Sequence, residues 1–368
     1  MASDAVARIR PAALRHNLQR AREAAPGCPV MAVVKANAYG HGLVATAQVL
    51  DGADAFGVAR IIEALELRRA GIEKTIVVLS AWLDDTAIAQ AREHDLQVVV
   101  YDEAQVSLLT NNGSGQPLSV WLKIDSGMGR LGIAPARAAA AIERLRDSQN
   151  IAPDLRLMTH LSCADATGEA ETEKQLRVFG ETIGDWQGDI SIANSAGILG
   201  WPDTVQRGAV VRYSGRNWIR PGLMLYGVSP QIGRTADDCG LLPVMSLEGR
   251  ILTVRDLNAG ASVGYGAEWR AGCDSRVGVV NVGYADGYPW RLSNRATVRV
   301  AGMAVPVIGR VSMDMISIDL SEVPEAGPGD AVELWGADPT VGELAELAGT
   351  SPYELLTGVG SRVRRRYE

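Results

Sequence analysis

The sequence predicts an α/β fold, an N-terminal (β/α)8 TIM-type barrel followed by a mainly β C-terminal domain. Three observations carry that prediction. Up to about residue 230 short apolar runs alternate with stretches of helical periodicity, eight such runs can be counted, and beyond Pro230 the texture turns strand-like and turn-rich. The apolar runs are nearly continuous in Val, Ile and Leu, the pattern of strands buried on both faces of a parallel sheet.

They fall at residues 30–34, 55–58, 76–80, 97–101, 118–124, 155–160, 190–193 and 219–226. Helical stretches at 60–70, 86–94, 136–147 and 169–183 lie between them, and Asp84 and Asp102 stand where N-caps belong. Eight strands with intervening helices is the count of a closed barrel. An open doubly wound sheet has fewer strands and a Gly-rich first turn, and no G-x-G-x-x-G follows the first run here. In the second part, turn signals at Asn258-Ala-Gly, Ala271-Gly-Cys, Ala301-Gly-Met and Gly327-Pro-Gly-Asp separate strand-like runs at 244–254, 277–282, 297–300 and 315–320, before a helical tail at 341–348 and 352–357. The expected domains are therefore 1–233 and 234–368, with residues 1–10 a candidate to pair with the second.

Composition excludes several classes of function. The 368 residues carry a net charge of -7, so no basic surface speaks for nucleic acid, and the basic run 362–366 reads as a solvated or subunit-contact segment. Four scattered cysteines without C-x-x-C spacing and four histidines without an H-x-x-x-H pair argue against a metal site or a disulfide framework. The opening M-A-S-D-A-V-A-R-I-R lacks the apolar core of a signal peptide and no apolar run reaches membrane-spanning length, so the expectation is a cytoplasmic protein with no membrane partner.

The chemistry-bearing residues collect at one end of the predicted barrel. The first apolar run ends in A-V-V-K-A-N-A-Y-G-H-G, which delivers Lys35. A lysine at the C-terminal end of a buried strand is a natural anchor for an aldehyde cofactor, and pyridoxal phosphate is the commonest partner for such a Schiff base. Lys123, Asp125 and Arg130 follow in K-I-D-S-G-M-G-R-L-G, His160 in T-H-L-S-C-A-D, Asn194 and Ser195 in A-N-S-A-G, and Arg220 in R-P-G-L-M-L-Y-G. Each alone has a plainer explanation: a snorkelling lysine, a satisfied core histidine, a salt-bridged arginine, a helix cap. Together they cluster at the strand C-termini, where barrels place their working residues and often hold phosphate.

These motifs, with G-Y-G-A, G-Y-A-D-G and G-R-V-S-M-D in the second part, resemble those of bacterial alanine racemases over the whole chain and in the same order. The resemblance implies pyridoxal 5'-phosphate on Lys35, alanine as substrate, and a homodimer with shared active sites. Racemisation needs a proton removed from one face of Cα and returned on the other. By resemblance Lys35 serves one face and Tyr265, from the partner subunit, the other. A phenol, with an ordinary pKa of about 10, is a poor base unless cationic or hydrogen-bonded neighbours favour its anion. His160 and Arg220 are the implied neighbours.

Arg220 is further implied to face the pyridine nitrogen, where a permanent cation weakens the ring as an electron sink. The implied phosphate shell is Tyr39, Asn194, Ser195, the backbone of Gly222 and Leu223, and Tyr353. Arg130, aided by the partner's Met313 backbone, is the implied carboxylate ligand, and Tyr284 lines the mouth. Lys123 beside Arg130 places two cations together. A carbamate on Lys123 or an anion between them would resolve the repulsion. The rival activities are a broad-specificity racemase, a decarboxylase with an acid at the pyridine nitrogen, and a non-catalytic carrier resembling the barrel alone. A role in supplying D-alanine for peptidoglycan, or in degrading it, is open.

Overall fold

A computed structural model describes residues 5–111, 115–206 and 211–368. The chain opens with strand β1 (Val6–Ile9) and helix α1 (Pro11–Ala24), then enters the barrel: β2 (Met31–Val33), the short helical turn α2 (Lys35–Tyr39), α3 (Leu43–Val49), β3 (Ala55–Val58), α4 (Ile61–Arg69), β4 (Thr75–Val78), α5 (Asp85–Glu93), β5 (Leu96–Val100), α6 (Glu103–Asn111), β6 (Val120–Lys123), α7 (Pro135–Asp147), β7 (Arg156–Met158), α8 (Ala170–Ile183), β8 (Ile190–Ser191) and α9 (Ser195–Gly200). β2 to β8 pair in sequence order, every neighbour parallel. Asp84 caps α5 by accepting the Ala87 N–H at 2.8 Å, and Asp102 accepts from the Gln105 N–H at 2.8 Å at the start of α6.

The eighth strand differs from the expected run at 219–226. Closure is made by an extended segment that takes in the start of that run: Asn217 bridges Ile190, Ile219 bridges Val30 and Arg220 bridges Asn194, with the Met31 N–H donating to the Ile219 carbonyl and the Val33 N–H to that of Pro221, both at 2.9 Å. The run then leaves the sheet because Pro221 has no N–H to give the ladder. Residues Leu223–Tyr226 coil into a 3-10 turn instead.

Seven residues fill the barrel interior, one from each of β2 to β7 and one from the closing segment: Met31, Ala55, Val77, Val99, Trp121, Met158 and Trp218 form a core cluster separate from the one packed under the helices. Successive side chains on a strand alternate faces, so a residue two places further on shares the inner face. Lys123, His160 and Arg220 each lie two residues beyond Trp121, Met158 and Trp218. The strand period thus lifts three basic side chains onto the C-terminal mouth, above an apolar plug.

The second part holds β9 (Met245–Leu257), β10 (Ser262–Val263), β11 (Trp269–Arg270), β12 (Ser275–Val280), β13 (Thr297–Val300), β14 (Met303–Ile308), β15 (Ile316–Asp319), β16 (Ala331–Trp335), α10 (Val341–Ala348), α11 (Pro352–Gly358) and β17 (Arg364–Tyr367). The sheet runs β12-β15-β14-β13-β16-β9-β1-β17, and a further β12–β9 pairing closes its first six members into a ring. The thirteen-residue β9 serves both sides, its N-terminal half against β1 and β16 and its C-terminal half against β12. β1 therefore belongs to this sheet, antiparallel to β9 and parallel to β17. The basic run 362–366, read as a solvated or subunit-contact segment, is partly the strand β17, and its Arg365 Nε donates to the Gly40 carbonyl at 2.9 Å, tying it to the barrel mouth.

Candidate active site

Lys35 does not end a strand. It follows Val34 and opens a turn in which Ala36, Asn37, Ala38 and Tyr39 all have φ between 52° and 54°. Four successive non-glycine residues in the left-handed region cost on the order of 1–2 kcal/mol each, so the surroundings must impose the turn. They do so with several bonds. The Ala36 N–H donates to Glu63 Oε1 at 2.6 Å, the Leu43 N–H to Asn37 Oδ1 at 2.9 Å, and the Tyr367 hydroxyl to the His41 carbonyl. The His41 Nδ1 lies 2.9 Å and 3.1 Å from the carbonyls of Tyr39 and Ala38. An N–H on that nitrogen serves both, and burial pushes the ring's pKa down to about 4, which keeps it neutral.

The turn sets Tyr39 with its ring stacked on Tyr226 at 4.6 Å and tilted against Tyr353 at 5.8 Å. Burial raises the pKa of Tyr39, so its hydroxyl keeps its proton. That hydroxyl sits over Gly222, where a Cβ would lie 2.6 Å from it. The Gly222 N–H donates to Ser195 Oγ at 2.8 Å and the Met224 N–H reaches the same oxygen at 3.4 Å. Asn194 caps α9, accepting from the Gly197 N–H at 2.9 Å. Tyr39, Ser195 and Gly222 thus form one group of polar atoms at the strand-seven and strand-eight side of the mouth. Leu223 opens the 3-10 turn beside them, and among the described residues it is the Met224 N–H rather than a Leu223 N–H that points to the serine. A cavity of about 780 Å³ next to the group is lined by His160, Asn194, Ser195, Leu223, Tyr226 and Tyr353.

Arg220 is the best-held cation. It is buried and donates to the Thr159 carbonyl at 2.7 Å, to the Ile192 carbonyl at 3.1 Å and to Ser191 Oγ, with His160 Nδ1 3.5 Å away. Desolvation lowers its pKa to about 10. Burial first, then Arg220 and Arg130, bring Lys123 down to about 8. His160 is held well below its ordinary value by burial and the cations Arg220, Lys123, Arg130 and Lys35. Lys35 is lowered by burial and by Arg130, and partly restored by Glu63. Five basic groups therefore sense one another at a single mouth, which suits doubly charged phosphate and a carboxylate. The donor set fits a phosphorylated aldehyde: a half-buried amine with a lowered pKa, a hydroxyl–backbone cradle with no room for a Cβ, and a buried guanidinium.

Arg130 is exposed on the loop after β6, which Asp125 shapes by accepting from the N–H groups of Gly127 and Gly129 at 3.0 Å. The remaining expected residues stand on the β domain. Tyr265 is 72% exposed in a 3-10 turn between β10 and β11. Tyr284 and Met313 are also exposed and share one backbone scaffold, the Tyr284 N–H donating to the Ser312 carbonyl and the Ala285 N–H to that of Met313, both at 3.0 Å. Asp314 accepts from Arg362 Nη2 at 2.7 Å. So the barrel residues come together, whereas Tyr265, Tyr284 and Met313 are presented outward by the other domain. Sequence reasoning missed Glu63 and His41. The capping pattern at 60–63 was the available signal for the first and the K-A-N-A-Y-G-H-G string for the second. Among the described residues no group of three or more His, Cys, Asp or Glu side chains could hold a metal ion, and no helix is long and apolar enough to cross a membrane.

Comparison with known proteins gives the same picture along the whole chain. Residues 9–230 match the family model for the alanine racemase N-terminal domain and 244–367 that for the C-terminal domain. Alanine racemase from Aliivibrio salmonicida (strain LFI1238) is 44% identical over 363 residues, covering 99% of each chain. That from Shewanella sediminis (strain HAW-EB3) is 45% identical over 357 residues, 97% of each. Among solved structures, the biosynthetic alanine racemase of Pseudomonas aeruginosa superposes with a TM-score of 0.91 at 41% identity, covering 100% of this chain and 99% of that one. Alanine racemase from Bartonella henselae, solved with covalently bound pyridoxal phosphate, gives 0.87 at 28% identity and covers 100% of both chains.

Proposed function

The chain belongs to the alanine racemase family, and from that premise we propose which of its residues interconvert L- and D-alanine with pyridoxal phosphate. The family is one of isomerases that use this cofactor, which when bound acidifies the Cα–H of an attached amino acid. The observation that carries the residue assignment is the gathering of Lys35, Lys123, His160 and Arg220 at one barrel mouth, with Lys35 on its left-handed turn beside the hydroxyl–backbone cradle and the pKa values of the first three lowered by burial and by neighbouring cations.

In this reading Lys35 would hold the cofactor's aldehyde, and its free amine would move the Cα proton on its own face. Its lowered pKa increases the neutral fraction that can accept a proton. The partner subunit's Tyr265 moves the proton on the opposite face, with His160 and Arg220 as the polar chain behind it. Support for a contribution in trans is that Tyr265, Tyr284 and Met313 are all exposed on the β domain, outside the cluster around their own Lys35. Tyr39, Asn194, Ser195, Gly222, Leu223 and Tyr353 form the phosphate side, and Arg130 with the partner's Met313 backbone orients the substrate carboxylate. Tyr284 narrows the approach.

Arg220 would lie on the side of the ring nitrogen when the cofactor is bound. Even with its pKa lowered to about 10 it is charged at neutral pH, so it disfavours a second positive charge there. For Lys123 we propose a carbamate. Its pKa of about 8 leaves about a tenth of the amine neutral at pH 7. That amine attacks CO2, forming an N–C bond and losing one proton, and the resulting anion offsets Arg130 and Arg220. We place the domain boundary at 233/234, and the working form as a cytoplasmic homodimer that either supplies D-alanine for peptidoglycan or degrades it.

The test is α-proton exchange and racemisation of L-alanine in D2O. Wild type exchanges and racemises without releasing amine or CO2, Lys35→Ala loses the absorbance of the lysine-bound cofactor, and Tyr265→Phe loses racemisation far more than cofactor binding. Racemisation by Tyr265→Phe at the wild-type rate would remove Tyr265 from the mechanism.

A further inference from the structure

We propose that Glu63 is a positioning residue for Lys35: its carboxylate staples the left-handed turn that carries the lysine to the end of the neighbouring strand, and so fixes the amine over the barrel mouth. The inference rests on the reading of Lys35 as the cofactor-bearing group.

The geometry is a three-point clamp. One oxygen, Oε1, accepts the Ala36 N–H at 2.6 Å, the first amide after Lys35 and the first residue of the turn with positive φ. The other, Oε2, accepts the Ala59 N–H at 2.8 Å and the Arg60 N–H at 3.1 Å, which lie immediately beyond β3. Glu63 is also the third residue of α4, in the place where a carboxylate reaches back to the helix's own N-cap amide. That role needs one oxygen only. The second oxygen crosses to a different strand end and closes the gap between the first and second units of the barrel. An ordinary helix cap has no reason to do this. The Ala36 N–H is an early link in a turn of four non-glycine residues at positive φ, so releasing it lets the strained backbone relax toward ordinary conformations and carries Lys35 with it.

Charge follows position. The groups that act on Lys35 are Arg130, from the loop after β6, and Glu63, from α4, and Lys35 in turn is felt by Lys123 on β6 and His160 beyond β7. Glu63 is the acid among them that opposes Arg130 at the amine. The staple therefore also keeps a compensating negative charge on the lysine's side of a cationic mouth.

Glu63→Gln is the discriminating variant. Glutamine is an accepted residue at this helix position and keeps one carbonyl oxygen, so α4 retains a cap while the clamp loses its second acceptor and its charge. Asp84→Ala, which removes the N-cap of the neighbouring α5, controls for a loss of helix capping alone. Two readouts do not depend on turnover: hydrogen–deuterium exchange of the segment 35–42, and the pH midpoint of Lys35 acylation in the cofactor-stripped full chain, read by peptide mass spectrometry. Glu63→Gln is expected to exchange at least about tenfold faster in 35–42 and to shift the midpoint downward, with kcat reduced about tenfold. Asp84→Ala leaves all three as in wild type. Wild-type exchange and an unmoved midpoint in Glu63→Gln would overturn the proposal. A wild-type chain that fails to racemise alanine would instead sink the functional reading, leaving the exchange comparison intact.

Discussion

Replacing Gly222 by alanine tests the cradle at its tightest point. The added Cβ would lie 2.6 Å from the Tyr39 hydroxyl oxygen and 3.3 Å from the ring carbon that bears it. The hydroxyl must retreat by about 0.8 Å to reach ordinary van der Waals contact. It cannot do so freely, because the Tyr39 ring is stacked on Tyr226 at 4.6 Å and its backbone is fixed in the left-handed turn. Gly222 has φ -125°, outside the left-handed region, and the perturbation considered is the contact with Tyr39. Overpacking of this kind costs about 1–3 kcal/mol of stability. If Tyr39 holds the phosphate as proposed, losing that charge-assisted hydrogen bond would cost about 1.5–3 kcal/mol, a ten- to hundredfold weaker hold on pyridoxal phosphate. The assay is cofactor dissociation followed by absorbance, run as a double-mutant cycle with Tyr39→Phe. Removing the hydroxyl removes the closest contact, so Gly222→Ala should cost markedly less in the Tyr39→Phe background. Equal costs in both backgrounds would refute the clash, and unchanged cofactor binding in Gly222→Ala would refute the cradle.

Two further expectations concern proton and CO2 equilibria. The buried His41 has its pKa depressed from 6.5 to about 4, so the unfolded chain binds the proton more readily. The stability this neutral ring contributes is present above pH 6.5 and lost as pH falls toward 4, on the order of 3 kcal/mol in all. Urea midpoints measured between pH 6.5 and 4.5 should decline less steeply in His41→Gln than in wild type, and parallel declines would contradict the assignment. For Lys123, intact mass measured under CO2-free and bicarbonate-buffered conditions should differ by one CO2 in wild type and not in Lys123→Ala, and activity should fall on CO2 removal. Identical masses would leave Lys123 an ordinary amine.

Much of the fold is written locally. Nearly continuous Val and Ile runs marked the parallel strands, Asp84 and Asp102 marked helix starts, and 341–348 marked α10 to the residue. What failed depended on partners far away or on conformations without periodicity. The 219–226 run is as apolar as a strand, but its proline and its contacts to both β2 and β8 decide where pairing stops. R-R-R-Y reads as a charged tail because its partner strand, β1, lies at the opposite end of the chain. The left-handed turn after Lys35 has no signature in propensity, since three of its four residues are Ala or Tyr and only Asn37 favours positive φ. In the site, Lys123, His160 and Arg220 were legible because strand parity puts them on the plug's inner face. Glu63 was hidden inside an ordinary helix start, its second acceptor visible only once Ala36 is folded against it.

Subunit complementation tests directly the proposed site that combines Lys35 of one subunit with Tyr265 of the other. Lys35→Ala and Tyr265→Phe chains, each inactive alone, are unfolded together, refolded at equal concentration and assayed for racemisation of L-alanine. Random pairing makes half the dimers mixed, each with one site carrying both native residues, so the account predicts about a quarter of wild-type activity. A mixture as inactive as its parents would contradict a site shared in this way.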